Sequence, residues 1–164
     1  MVEPCLFFLY GSIHHYSRRL IKLIVNYFFG VFVKGFVDNI EKSTVENQDF
    51  RRVLYTGKYS QLVLMAIGIN DDIGEETHDD VDQFFRFEQG EGKVIIDGVE
   101  HKVGDGDAVI VPAGAKHNVV NTSKDSLLKL YTIYSPPEHQ DKTVRKIKKD
   151  ALEQEEHFDG KTTE

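Results

Sequence analysis

Four side chains in this sequence have the types and spacing to bind a cation. Glu76, His78 and Gln83 fall within one stretch, GEETHDDVDQFFRFEQGEG (74–92), and His117 lies well downstream, directly after PAGAK. Glu76 and His78 are two residues apart, so on an extended backbone both side chains face the same side. That places a carboxylate beside an imidazole, as a metal requires. Gln83, beyond a short bend, could add an amide oxygen. His117 would complete the set if folding lays its strand against the first segment. On these residues alone the alternatives stay open: a polar loop that happens to hold a histidine, a hydrogen-bonded histidine at a strand start, and a buried amide bonded to backbone. Asp82 has the opposite strand parity and is expected to face solvent. Phe84, Phe85 and Phe87 read as core or pocket wall, and His101, after a hairpin turn, as exposed. His139, in SPPEH, reads as part of a surface loop.

The elements that must position these groups are short strands. RRVLYTG, SQLVLMAIG, FFRFE, KVIIDGVEHKV, DAVIVPAG, HNVVNT and SLLKLYTIYS follow one another from Phe50, rich in β-branched and aromatic residues and divided by Gly, Asp and Pro. Asp97-Gly98 is the dipeptide that a two-residue type I′ hairpin prefers. Little helix is expected between Phe50 and Pro136. This pattern indicates an all-β sandwich or small barrel. Beyond SPPEHQDKTV, the segment TVRKIKKDALEQEE is expected to form a short helix with Thr143 as its N-cap, and the last residues, HFDGKTTE, to fray.

Composition limits the function classes. The 164 residues carry a net charge of −7, which argues against broad nucleic-acid binding. A single cysteine, Cys5, excludes an internal disulfide framework and fits a reducing, cytoplasmic location. Residues 1–36 differ from the rest, with four basic residues against one acidic, whereas the remainder has sixteen against twenty-six. Their apolar run, RRLIKLIVNYFFGVFVKGFV, is interrupted by Lys22, Asn26 and Lys34. The longest charge-free part, Leu23–Val33, is about half the roughly 20 residues needed to cross a bilayer. A short membrane anchor through residues 20–37 with snorkelling lysines, or a segment not native to the mature protein, are the two readings of it. The expected organisation is an N-terminal extension (1–36), a barrel (37–137), and a C-terminal helix and tail (138–164).

A second motif specifies the fold further. GDAVIVPAGAKHNVVN (106–121) runs Gly, five residues, Pro, one, Gly, two, His, three, Asn. It resembles the second motif of the cupin superfamily at every fixed position. The stretch around Glu76 resembles the first cupin motif in altered form: Asn70 stands at the leading Gly, Glu76 at the first His, His78 at the second, Gln83 at the Glu, and Gly90 at the closing Gly. The resemblance spans about Phe50 to Pro137. It implies a double-stranded β-helix (jelly-roll) barrel in which the two motifs face each other and their polar side chains converge at one mouth. Gly90 and Gly92 allow a tight turn there, and Gly114 the reversal that aims His117 inward.

The resemblance implies a divalent metal (Fe, Mn, Ni or Zn) on Glu76, His78 and His117, with Gln83 as a neutral ligand or a group orienting one of the others. It also implies a small-molecule ligand and a homodimer. Two chemistries follow if the protein is an enzyme. In a dioxygenase, substrate and oxygen take the open metal positions. In a phosphosugar isomerase, Glu76 is the catalytic base that shuttles a proton rather than a ligand, and Arg86 and Lys116 are the only nearby phosphate candidates. The alternative is a non-catalytic ligand-binding or dimerisation module whose metal site has decayed, since two of the four ligand positions are changed.

Overall fold

A computed structural model of the protein describes residues 35–154 and 156–164, which belong to one compact unit (35–164). The anchor reading of the N-terminal run falls outside the described residues. Among those described, no helix is long and apolar enough to cross a membrane.

The architecture is two facing antiparallel sheets with two short helices. The strands are β1 (Arg51–Thr56), β2 (Gln61–Ile67), β3 (Asp82–Gln89), β4 (Glu91–Ile96), β5 (Val99–Gly104), β6 (Ala108–Val111), β7 (His117–Asn121), β8 (Leu128–Ser135) and β9 (Val144–Arg145). The larger sheet has the order β6-β3-β8-β2-β1-β9 and the smaller β5-β4-β7. This is the jelly-roll that the motifs imply. Alternation sets the inward faces: on β3, Gln83, Phe85 and Phe87 are buried while Asp82 is exposed and Phe84 is half-buried. Phe84 thus lies off the core, beside Tyr131 (ring centroids 6.1 Å apart), and is not pocket wall. Phe85 and Phe87 pack with Val63, Met65, Ile67, Val94, Val119, Leu128 and Leu130 between the sheets. Full burial of each such side chain contributes about 2 kcal/mol.

The β4–β5 hairpin turns at Asp97 and Gly98, both with positive φ (46° and 83°), as a type I′ turn requires. Gly92 has a different reason. A Cβ there would stand 2.6 Å from the Val120 carbonyl oxygen, so only glycine lets β4 lie this close to β7.

Two expectations about the C-terminal segment are corrected, and the stretch before Phe50 adds a helix: α1 (Ile40–Glu46), capped by the Asn39 side chain accepting from the Lys42 amide. It lies against β8 and β3, and the buried Lys129 ammonium donates to the Asn47 carbonyl at its end. The C-terminal helix, α2, spans Lys148–Glu153 and starts after Ile147, not Thr143. Val144 and Arg145 instead extend the large sheet, pairing with Arg52 and Arg51, and this ladder outcompetes an early helix start. The last residues are tied down, with the Phe158 amide donating to the Glu138 carbonyl (2.7 Å) and the Thr163 amide to that of Thr56 (2.9 Å).

Candidate metal centre

The residues between β2 and β3 run antiparallel beside β7 without forming a regular strand. Ile73 donates to Val119 (3.1 Å), Asn121 to Asp71 (2.9 Å), and Glu76 and His117 exchange both backbone hydrogen bonds at 2.9 Å. Such a pair carries its side chains on one face of the ladder. This register is why Glu76 meets His117 across 41 positions of sequence. The reversal at Gly114 (φ 79°) is held by its amide donating to the His78 carbonyl (2.7 Å), which fixes the third residue of the cluster.

One nitrogen or oxygen from each of Glu76, His78 and His117 lies within 4.8 Å of the others, close enough for the three to hold a metal ion. His78 Nε2 is buried, has no hydrogen-bond partner, and stands 3.6 Å from Glu76 Oε2. That distance gives charge attraction but no hydrogen bond. A buried nitrogen with no partner is costly unless something binds it, and a cation shared with the Glu76 carboxylate would do so. The donor set therefore fits a divalent transition metal.

Gln83 is brought to the same point. Its Oε1 faces His117 Nε2 at 3.0 Å, and its Nε2 donates to Thr132 Oγ1 at 3.2 Å. His117 Nδ1 faces the Ala115 carbonyl at 3.2 Å. A neutral His117 ring has one N–H for these two acceptors: donated from Nε2 to Gln83 it satisfies both side chains without an ion, whereas donated from Nδ1 to Ala115 it leaves Nε2 and Gln83 Oε1 together as lone-pair donors for a metal. The His78 and His117 rings are 5.6 Å apart, and Phe85 stands edge-on to His117.

The two imidazoles are tuned in opposite directions. The Glu76 carboxylate raises the His78 pKa above its ordinary value of 6.5 against the effect of burial, with a smaller contribution from Glu138, whose Oε2 is 3.7 Å from Nδ1. Burial lowers that of His117.

Glu76 and His78 line a cavity of about 310 Å³, whose other wall holds Arg51, Glu138, His139 and Glu156. These four were not legible as site residues. His139 is buried, not on an exposed loop: Gln61 accepts from its amide (2.9 Å) and donates to its carbonyl (2.6 Å), turning the ring inward. Burial, then the neighbouring Arg51 charge, hold its pKa well below the ordinary value. Arg51 bridges the two walls, 3.8 Å from Glu76 Oε1 and 3.9 Å from Glu156 Oε1. His101 and Asp82 are exposed, as parity and turn position indicate. Arg86 bonds to the Gly106 carbonyl and Lys116 pairs with Glu75, and neither lines the cavity.

Two sheets facing each other, with Glu, His, Gln and His converging inside them, define a jelly-roll with a potential metal centre, and the chain belongs to the cupin superfamily. The cupin-domain family matches residues 63–134. The Bacillus subtilis (strain 168) protein YrkC, itself uncharacterized, is 46% identical over 129 residues, which cover 75% of this chain and 69% of YrkC. A protein of Acanthamoeba polyphaga mimivirus is 39% identical over 108 residues, 63% of this chain and 67% of that protein. A Bacillus halodurans crystal structure superposes with a TM-score of 0.71 at 42% identity, covering 74% of this chain and 96% of the other.

Proposed function

We propose that this cupin is a metal-dependent enzyme acting on a small polar metabolite, with the ion held by Glu76, His78 and His117 and with Gln83 Oε1 available as a fourth donor. The observation that carries this reading is the buried, partnerless Nε2 of His78 facing two further donors within 4.8 Å. A cavity of about 310 Å³ opening on Glu76 and His78 supplies room for a small ligand.

When bound, a divalent metal polarises an oxygen of the ligand. The chain's own residues do the rest. Ala115 and Gln83 orient His117, and Glu138 faces the far nitrogen of His78. Phe85 and Tyr134, edge-on to the two imidazoles, exclude water behind them. Arg51 Nη2 stands 3.8 Å from Glu76 Oε1 at the cavity. Glu76 is placed to take and return a proton on a bound substrate, as an isomerase needs, or to serve as the anionic ligand of a dioxygenase-type set.

The test is metal content. Protein purified without added metal and then offered Mn, Fe, Ni or Zn should bind about one ion per chain and melt at higher temperature, since a ligand specific to the folded state stabilises it. His78→Ala and His117→Ala should each abolish both effects. Retention of metal by either variant overturns the assignment. A non-catalytic binding module is the second reading, favoured by the existing Gln83–His117 and Gln83–Thr132 bonds, which satisfy Gln83 without an ion. Absence of metal uptake in the parent protein selects that module.

A further inference from the structure

One side of the cavity is held by less than the others. Glu76 and His78 stand on backbone that is bonded to His117 and Gly114, and Arg51 stands on β1. The remaining side is α2, whose Ala151 and Leu152 line the cavity together with His139. This helix is six residues long and has no side-chain cap at Ile147. A helix so short does not persist by its own hydrogen bonds and needs packing. Here the packing is slight. Ala151 is its one buried residue and the one that joins the core, while Ile147 before it and Leu152 within it are largely exposed.

What holds α2 against the barrel is mainly charge. Lys148 Nζ donates to Asp71 Oδ1 (3.0 Å) and to Asp72 Oδ1, on the segment that leads from β2 to Glu76. Both carboxylates are partly exposed, and ion pairs in contact with water are weak and screened by salt. At its base the chain is clamped to itself. Arg145 Nη2 donates to the Gln154 carbonyl (2.9 Å) and to Glu156 Oε2 (2.6 Å), which draws together the two ends of the loop that carries the helix, residues 146–153. Pairing with β1 anchors Arg145, and the Phe158 amide ties the far end to the Glu138 carbonyl. A loop with pinned ends and few contacts of its own is the kind of element that opens locally while the framework stays folded. With α2 in place the His139 ring and His78 Nε2 are buried.

We propose that residues 146–153 are a flap over the cavity, hinged where Arg145 clamps its base, latched by Lys148 to Asp71 and Asp72, and lifted to admit what the cavity binds. This goes beyond the function proposed above and applies to any small ligand or ion that reaches Glu76 and His78. Lifting breaks the two latch contacts and uncovers one methyl group, and it leaves every strand in place.

The test uses the full chain without metal. Diethyl pyrocarbonate acylates neutral imidazoles, and burial keeps His139 neutral. Its reaction with His139, read by mass spectrometry of the peptides, therefore reports how often the cavity is open, and exposed His101 is the internal control. Lys148→Gln removes the latch charge and should speed modification of His139 by about fivefold. His101 should react as before, and the Glu76 and His117 amides should stay as protected from hydrogen exchange as in the parent chain. Ala151→Gly, which removes the buried methyl, should act in the same direction, and should either variant fail to fold the other carries the test. An unchanged His139 rate in a folded variant, or a rise accompanied by lost protection at Glu76 and His117, overturns the flap. Zinc gives a second reading. A flap alters rates and not affinity, so uptake and release should quicken by the same factor in Lys148→Gln with the affinity unchanged, and zinc rates that do not follow the His139 rate overturn the flap. No zinc uptake by the parent chain, with His139 responding as expected, removes the metal reading and leaves the flap standing. Zinc uptake with His139 unresponsive does the reverse.

Discussion

Gln61→Leu is the substitution that most directly tests how the cavity is assembled. Gln61 is fully buried, and its amide makes three hydrogen bonds: from Nε2 to Thr56 Oγ1 (2.9 Å) and to the His139 carbonyl (2.6 Å), and from the His139 amide to Oε1 (2.9 Å). Leucine is close in volume and leaves the strand pattern of β2 intact, so the perturbation is confined to these bonds. The Thr56 hydroxyl can rotate to another partner, but the His139 N–H and C=O are buried and lose theirs. Each unsatisfied backbone group costs about 1–3 kcal/mol, and the added apolar burial returns part of that, so a net loss of about 3 kcal/mol is expected. For a unit of this size that lowers the melting temperature by about 10 °C. Urea unfolding measures the free energy, and amide hydrogen exchange reports the loop directly: the His139 amide should pass from protected to fast exchange while the β3 and β8 amides stay protected. A loss under about 1 kcal/mol, with the His139 amide still protected, would refute the claim that Gln61 holds the His139 backbone in place.

Stability of the metal-free chain should fall on acidification. His117 and His139 have folded pKa values below the ordinary 6.5, so their contribution is complete above about pH 6.5 and is lost as pH drops toward those depressed values. His78, raised by Glu76, works oppositely, contributing below about pH 6.5 and fading as pH rises through its folded value. Two depressed groups outweigh one raised group, so the urea midpoint should decrease between pH 6.5 and 5, and His139→Phe should flatten that decrease. Gly92→Ala should destabilise by about 2 kcal/mol or more, because the new methyl meets the Val120 carbonyl at 2.6 Å and Leu128 at 2.7 Å. Unchanged urea unfolding in that variant would show that β4 and β7 can separate freely.

The strand framework was legible because it depends on local signals, whereas the Glu76–His117 convergence, 41 positions apart, was legible only through the motif resemblance, which implies that the two segments face each other. Alternation on β3 fixes Gln83 inward, Asp97-Gly98 dictates the hairpin, and the spacing through Gly114 sets where β7 begins. The second cavity wall was hidden because nothing local marks it. Arg51 is one of two adjacent arginines at a strand start, and only the sheet decides which of them turns inward. His139 sits in a proline-rich turn that reads as surface, and its burial depends on Gln61, 78 residues earlier. Glu156 comes from a charged tail that would fray if alone, and it is retained by its ion pair with Arg145. The first helix did carry a readable cap at Asn39, but its neighbourhood has little apolar periodicity, and contacts with β8 and β3 secure it.

The chain between β2 and β8 contains Glu76, His78, Gln83 and His117, whereas Arg51 precedes it and Glu138, His139 and Glu156 follow it. The candidate metal-binding residues and the others that line the cavity therefore come from separate parts of the polypeptide. Grafting new flanks onto an unaltered middle would change the lining of the cavity without rebuilding the candidate metal site.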